Sequence, residues 1–146
     1  MTDFPLTGGC NCGAVRFEVC APIPIASYCH CKRCQRRSGT AASANAHPAE
    51  GTFRIVDGED KLRMWKPDDG GEKWFCGRCG SHLFGRNPAH PDAIGIRMGA
   101  FDGNPGTRPS VRQFVRYAAP CEPIPDDGLP RNPESRHARI PADRDE

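Results

Sequence analysis

The sequence predicts a mostly β domain of short strands with one short helical turn. Two features point there. Gly and Pro number 16 and 15 in 146 residues, about a fifth of the chain. That is too much punctuation for a helix bundle and suits short strands joined by turns. The clearest patterned stretch, Gly13 to Val19, puts Val15, Phe17 and Val19 on one side and Arg16 and Glu18 on the other, the period-two signature of a half-buried strand. A third feature concerns what holds the domain together: hydrophobic residues are 37%, a thin core, and there are 9 cysteines.

Taken in order, residues 1–9 read as a lead-in. Strands are expected at 13–19, 25–29 and 41–46. Between the last two, Lys32 to Arg37 reads as one or two helical turns that Ser38-Gly39 stops. Two strands at 53–56 and 62–65 flank the Asp57–Asp60 turn, and Pro67 to Gly71 is another turn. Trp74-Phe75 leads into Cys76, and Leu83-Phe84 leads away from Cys79-Gly80. Ile94 to Met98 and Val111 to Tyr117 are the last strand candidates. Trp65, Trp74, Phe75 and Phe84 are expected in the core, and the lone cysteines Cys20 and Cys121 as packing. From Pro120 the composition turns to prolines among charges. The chain therefore divides into a domain over 1–125 and a tail over 126–146. The tail is either solvated and partly disordered, or an arm lying along the domain or a partner.

Composition also excludes classes. No run of 18 apolar residues exists, so no membrane helix is expected. The start MTDFPLTGGC lacks a secretory pattern, so a cytoplasmic protein with reduced thiols is expected. Lys+Arg 20 against Asp+Glu 18 argues against nucleic acid as a partner. Nothing in the sequence sets an oligomeric state.

Seven cysteines fall into three groups: Cys10 and Cys12 (C-x-C), Cys29, Cys31 and Cys34 (C-x-C-x-x-C), and Cys76 and Cys79 (C-x-x-C-G). Thiolates are soft ligands suited to zinc, and a structural zinc takes four. The glycine after C-x-x-C permits the positive φ that turns backbone N–H groups toward the sulfurs. If the C-x-C and C-x-x-C pairs share one ion, three thiolates remain at Cys29, Cys31 and Cys34. Three ligands leave a tetrahedral position open, as in reactive zinc sites. Spacing alone leaves other pairings open. Lys32, Arg33, Arg36 and Arg37 either bind carboxylates beside that trio or form a solvated basic turn. His30 and His82 are a proton carrier or fourth ligand, or structural histidines.

The segments Gly9 to Phe17, Cys29 to Cys34 with Ser38-Gly39, and Phe75 to Ser81 resemble the glutathione-dependent formaldehyde-activating enzyme family, whose domain also occurs in a centromere protein. The likeness spreads from about residue 8 to residue 125. It implies an Mss4-like zinc-binding fold of several short coiled antiparallel sheets with a short helical turn. It also implies a structural zinc on Cys10, Cys12, Cys76 and Cys79, and a catalytic-type zinc, less firmly held, on Cys29, Cys31 and Cys34. The implied activity is a carbon–sulfur lyase of the S-(hydroxymethyl)glutathione synthase kind, joining a small thiol such as glutathione to formaldehyde or another small aldehyde. The alternative is a zinc-stabilised protein-interaction module without catalysis.

Overall fold

The computed structural model describes residues 3–134. In chain order the elements are β1 (Leu6–Gly9), β2 (Arg16–Val19), β3 (Ile25–Cys29), α1 (Lys32–Ser38), β4 (Ser43–His47), β5 (Phe53–Asp57), β6 (Leu62–Trp65), β7 (Glu72–Cys76), β8 (His82–Asn87), β9 (His90–Arg97), β10 (Arg112–Gln113) and β11 (Arg131–Asn132). Single 3-10 turns lie at Glu59–Lys61, Met98–Ala100 and Val115–Tyr117. The chain forms two compact units, residues 3–24 with 46–107 and residues 25–45 with 108–134. Strand β4 carries the chain from the second to the first.

The first unit is built on alternation. β1, β2 and β5 form an antiparallel sheet in the order β1-β2-β5. Strands β6 to β9 form an antiparallel meander in sequence order. Val15, Phe17 and Val19 are fully buried, with Leu83, Ile96 and Cys76. A chain of aromatic contacts runs through this core. Phe101 meets Phe17 edge-on at 5.3 Å, Phe17 meets Phe53 at 5.6 Å, Phe53 meets Phe84 at 5.0 Å, and Phe84 stacks on Trp74 at 5.9 Å. Tilted and edge-on rings add specific attraction to their buried area.

The second unit has a polar interior. Its strands lie in the order β11-β10-β3-β4, with β10 parallel to both β3 and β11. Arg112 sits opposite Tyr28 and Arg131, and Gln113 opposite Cys29 and Asn132. His30, Gln35, Arg112, Gln113 and Asn132 are all buried. Buried polar groups need partners, and these have them: Asn132 Nδ2 donates to Gln113 Oε1 at 2.9 Å, and Gln35 Nε2 donates to the carbonyls of His30 and Tyr117.

Several sequence expectations are corrected. The lead-in contains β1, whose Leu6 is buried; with two glycines in four residues its pattern was too sparse to read. The strand expected over Val111 to Tyr117 stops at Gln113, because Phe114 adopts φ 57 and ψ 41 and the chain then enters a 3-10 turn. Trp65, at the end of edge strand β6, is exposed rather than in the core. Cys20 and Cys121 are exposed rather than packed. Cys20 follows inward-facing Val19, so alternation turns it outward. The tail expected over 126–146 falls outside the described residues from 135 onward; before that, Arg131–Asn132 form β11. No helix among the described residues is long and apolar enough to cross a membrane.

One turn is sterically closed. Gly58 has φ 74, and a Cβ there would lie 1.8 Å from the Ala14 carbonyl oxygen. Gly58→Ala is expected to cost at least about 2 kcal/mol, from the left-handed backbone and the clash together. Gly99, with open space around it, is the control. Thermal unfolding should show a loss of several degrees for Gly58→Ala and little change for Gly99→Ala; equal transitions would contradict the packing of this turn.

Candidate functional site

Four sulfurs converge in the first unit from two segments far apart in sequence. Cys10 follows β1, and its turn closes with Gly13 N–H donating to the Cys10 carbonyl at 3.1 Å while Gly13 takes φ 79. Cys76 ends β7, and Gly80, at φ 81, donates to the Cys76 carbonyl at 2.8 Å. The sulfurs of Cys10, Cys12, Cys76 and Cys79 all lie within 4.8 Å of one another. Cys10 to Cys12 is 3.6 Å and Cys12 to Cys76 is 3.8 Å. Backbone N–H groups point at them: Val15 at Cys10 Sγ (3.3 Å), and Arg78 and Cys79 at Cys76 Sγ (3.3 and 3.4 Å). Ser81 joins the two turns, its hydroxyl accepting from Asn11 N–H at 3.0 Å and lying 3.2 Å from Cys79 Sγ.

Three sulfurs converge in the second unit. Cys29 ends β3 and is buried, while Cys31 and Cys34 are half-buried. Cys31 is the N-cap of α1, and its sulfur accepts from Cys34 N–H at 3.3 Å. This repeats the Cys76–Cys79 arrangement, with the first sulfur of each C-x-x-C receiving the N–H of the second cysteine. The three sulfurs also lie within 4.8 Å of one another. Neither His30 nor His82 belongs to either cluster.

His30 is held by a network that the sequence did not reveal. Its N–H donates to the Gln113 carbonyl at 2.9 Å. Its Nε2 lies 3.1 Å from Arg112 Nη1. A guanidinium only donates, so Nε2 accepts and the imidazole is neutral. Burial first, then the Arg112 and Arg131 charges, keep its pKa below the usual histidine value. Arg112 is itself buried, paired with Asp127 at 2.7 and 3.2 Å and lying 4.3 Å over the Tyr28 ring. No local motif marks Arg112 or Asp127, because the network joins residues 15 and 82 positions apart.

Both clusters fit a soft cation. Metal–sulfur bonds of about 2.3 Å in a tetrahedron put the sulfurs about 3.8 Å apart, close to the distances between Cys10, Cys12 and Cys76. Left to themselves, the thiols ionise unequally. Hydrogen bonds from the Ser81 side chain and backbone pull Cys79 down to about 5. The Ala14 N–H favours the Cys12 thiolate, but burial and the neighbouring sulfurs outweigh it and push Cys12 up to about 11. Cys29 is driven far up by Cys31 and Cys34 beside it and by burial. A cation among such sulfurs lets all of them ionise together.

Comparison with known proteins adds a family to this geometry. Residues 5–117 match the family described as glutathione-dependent formaldehyde-activating enzyme. The chain belongs to that family. A Halomonas elongata protein, named as a candidate glutathione-dependent formaldehyde-activating enzyme, is 31% identical over 105 residues, covering 68% of this chain and 67% of the relative. A crystal structure of a Rhodobacter sphaeroides protein superposes with a TM-score of 0.57 at 26% identity, covering 67% of this chain and 89% of the other. All seven clustered cysteines lie inside the glutathione-dependent formaldehyde-activating enzyme match, and residues 118–134 lie beyond it.

The clusters differ in what they tie together. The four-sulfur group joins segments 64 positions apart, whereas the trio spans six residues. Structural metal sites contribute about 10–16 kcal/mol of apparent binding energy, comparable to or above a domain's net stability of about 5–15 kcal/mol. Cys76→Ser is therefore expected to abolish cooperative thermal unfolding, while Cys31→Ser retains it. Equal loss in both variants, followed by circular dichroism, would contradict this division.

Proposed function

We propose that this chain is a zinc-dependent enzyme that joins a small thiol, glutathione or a close relative, to formaldehyde or another small aldehyde. The reaction resembles that of S-(hydroxymethyl)glutathione synthase, and its reverse is a carbon–sulfur lyase step. The observation that carries the reading is a sulfur trio, one ligand short of a closed tetrahedron, in a chain of the glutathione-dependent formaldehyde-activating enzyme family.

Cys10, Cys12, Cys76 and Cys79 would hold a structural zinc, and Cys29, Cys31 and Cys34 a second one. When bound at the trio, zinc supplies a soft Lewis acid that favours the thiolate form of a thiol. Three thiolates exceed the charge of a dication by one, which disfavours hydroxide chemistry and suits an incoming sulfur. In the reaction the thiolate sulfur attacks the aldehyde carbon. The new bond is S–C, the carbonyl π pair moves to oxygen, and that oxygen takes a proton from water, to which the thiol gave up its own on becoming a thiolate. No oxidant or reductant is required. Cys34 N–H and the capped start of α1 hold Cys31 in place. Arg112 occupies His30 Nε2, so His30 orients the Cys29-His30-Cys31 turn and carries no proton through that nitrogen.

A second reading, a zinc-stabilised interaction module in the cytoplasm, draws support from Met64 and Trp65, exposed on edge strand β6. NMR exchange spectroscopy of glutathione with formaldehyde separates the two. The enzyme reading predicts exchange faster than the spontaneous rate with wild-type protein, and the spontaneous rate with Cys31→Ser. No acceleration by zinc-loaded wild type would reject it and leave the module.

A further inference from the structure

One buried residue fixes the middle of the sulfur trio. His30 sits between Cys29 and Cys31 in the chain. Its backbone N–H donates to the Gln113 carbonyl at 2.9 Å, and its carbonyl accepts from Gln35 Nε2 at 2.8 Å. Those two contacts place its backbone. A third, from Arg112 Nη1 to His30 Nε2 at 3.1 Å, fixes the ring. With backbone and ring both held, the cysteines on either side have little freedom to turn away from each other. Strand β10 supplies two of the three contacts, and its Gln113 lies opposite Cys29 in register.

Arg112 can hold the ring because it is itself held. Its guanidinium works as a fork. Nη1 goes to His30, while Nε and Nη2 donate to Asp127 Oδ2 at 3.2 and 2.7 Å. The Tyr28 ring lies 4.3 Å from the guanidinium carbon. A lysine would bring the same charge on one nitrogen and lose the fork. Asp127 is set in turn by its own loop, where Leu129 N–H donates to Oδ1 at 3.1 Å. The loop is tied down beyond that point. Arg131 Nη2 donates to the Pro125 carbonyl at 3.0 Å, Arg112 N–H donates to the Pro130 carbonyl at 2.9 Å, and β11 pairs with β10. A continuous path of contacts therefore runs from Asp127 through Arg112 and His30 to the turn carrying Cys29 and Cys31. Arg112 lies inside the family match over residues 5–117, and Asp127 lies beyond it.

We propose that Arg112 and Asp127 are positioning residues for the trio: through His30 they keep Cys29 and Cys31 in a ligating arrangement, and so set how tightly the trio retains its metal. They act through His30 and not as ligands. This rests on the reading of the trio as a zinc site and deepens it, because the hold on that zinc depends on a segment after the shared domain. Groups that orient metal ligands from behind typically contribute about 10–100-fold in metal affinity.

The four-sulfur cluster is an internal reference for the test. Zinc-loaded full-length protein is equilibrated against a series of chelator-buffered free-zinc levels, and zinc per chain is measured at each. Circular dichroism follows folding in the same samples. Wild type should lose its zinc in two steps, and the step missing from Cys31→Ser belongs to the trio. Asp127→Asn keeps the side-chain shape at a surface position, and Arg112→Lys keeps the charge, so both variants are expected to fold. Each should move the trio's midpoint to at least about tenfold higher free zinc while leaving the other midpoint in place. The double variant should do little more than Arg112→Lys alone, since the two residues are links in one path. An unchanged trio midpoint in either folded variant would overturn the positioning role and leave the zinc reading standing. Equal shifts of both midpoints would also overturn it, since general destabilisation acts that way. A single step in wild type that Cys31→Ser retains would overturn the zinc reading of the trio, and the positioning role with it.

Discussion

Seven thiols held in two groups, each packed more closely than like charges tolerate, constrain this molecule more than any other feature. A sulfur at 3.6–3.8 Å from the next cannot ionise together with its neighbours unless a cation lies among them. Burial and the neighbouring sulfurs oppose ionisation at Cys12 and Cys29, while the backbone around the clusters favours it. Backbone N–H groups from Val15, Cys34, Arg78 and Cys79 point at them, and glycines at positive φ make the turns that allow it. The local backbone is thus organised for thiolates.

The two units answer this constraint differently. The first surrounds its four sulfurs with an apolar core of Val15, Phe17, Leu83 and Ile96, and Cys10 and Cys76 are themselves part of that core. The second carries its trio on a polar interior. Arg112, buried and paired with Asp127, meets His30 between two of the three cysteines, and Gln35 and Gln113 hold the same turn by its backbone. A fully satisfied buried network specifies one arrangement, because each partner left alone would be costly. Breaking such a pair by removing one member typically costs about 3–5 kcal/mol. Apolar packing secures the four-sulfur cluster, and directional hydrogen bonds orient the trio.

What was legible in the sequence was local. The spacing of Cys29, Cys31 and Cys34, the C-x-x-C-G turn and the alternation of Val15, Phe17 and Val19 each lie within seven residues, and each appears in the structure as read. Strands β3 and β6 fall where the pattern put them. The division of sulfurs into four and three was open on spacing and is the one seen in the geometry. What escaped was long-range or sparse. β1 offers four residues, two of them glycine. β10 pairs over only two residues before Phe114 turns left-handed. Arg112 and Asp127 look like ordinary surface charges until the fold brings them to His30. The segment from Ala119 to Pro125 read as the start of a proline-rich arm, and nothing local said that it lines a cavity together with residues of α1.

The central claim is that the chain holds one closed and one open zinc site. Elemental analysis of protein purified without chelator tests it most directly. The account predicts about two zinc ions per chain, falling to about one in folded Cys31→Ser, since three-ligand and four-ligand sites are independent. One zinc ion in wild type that Cys31→Ser leaves unchanged, even after reloading, would contradict it.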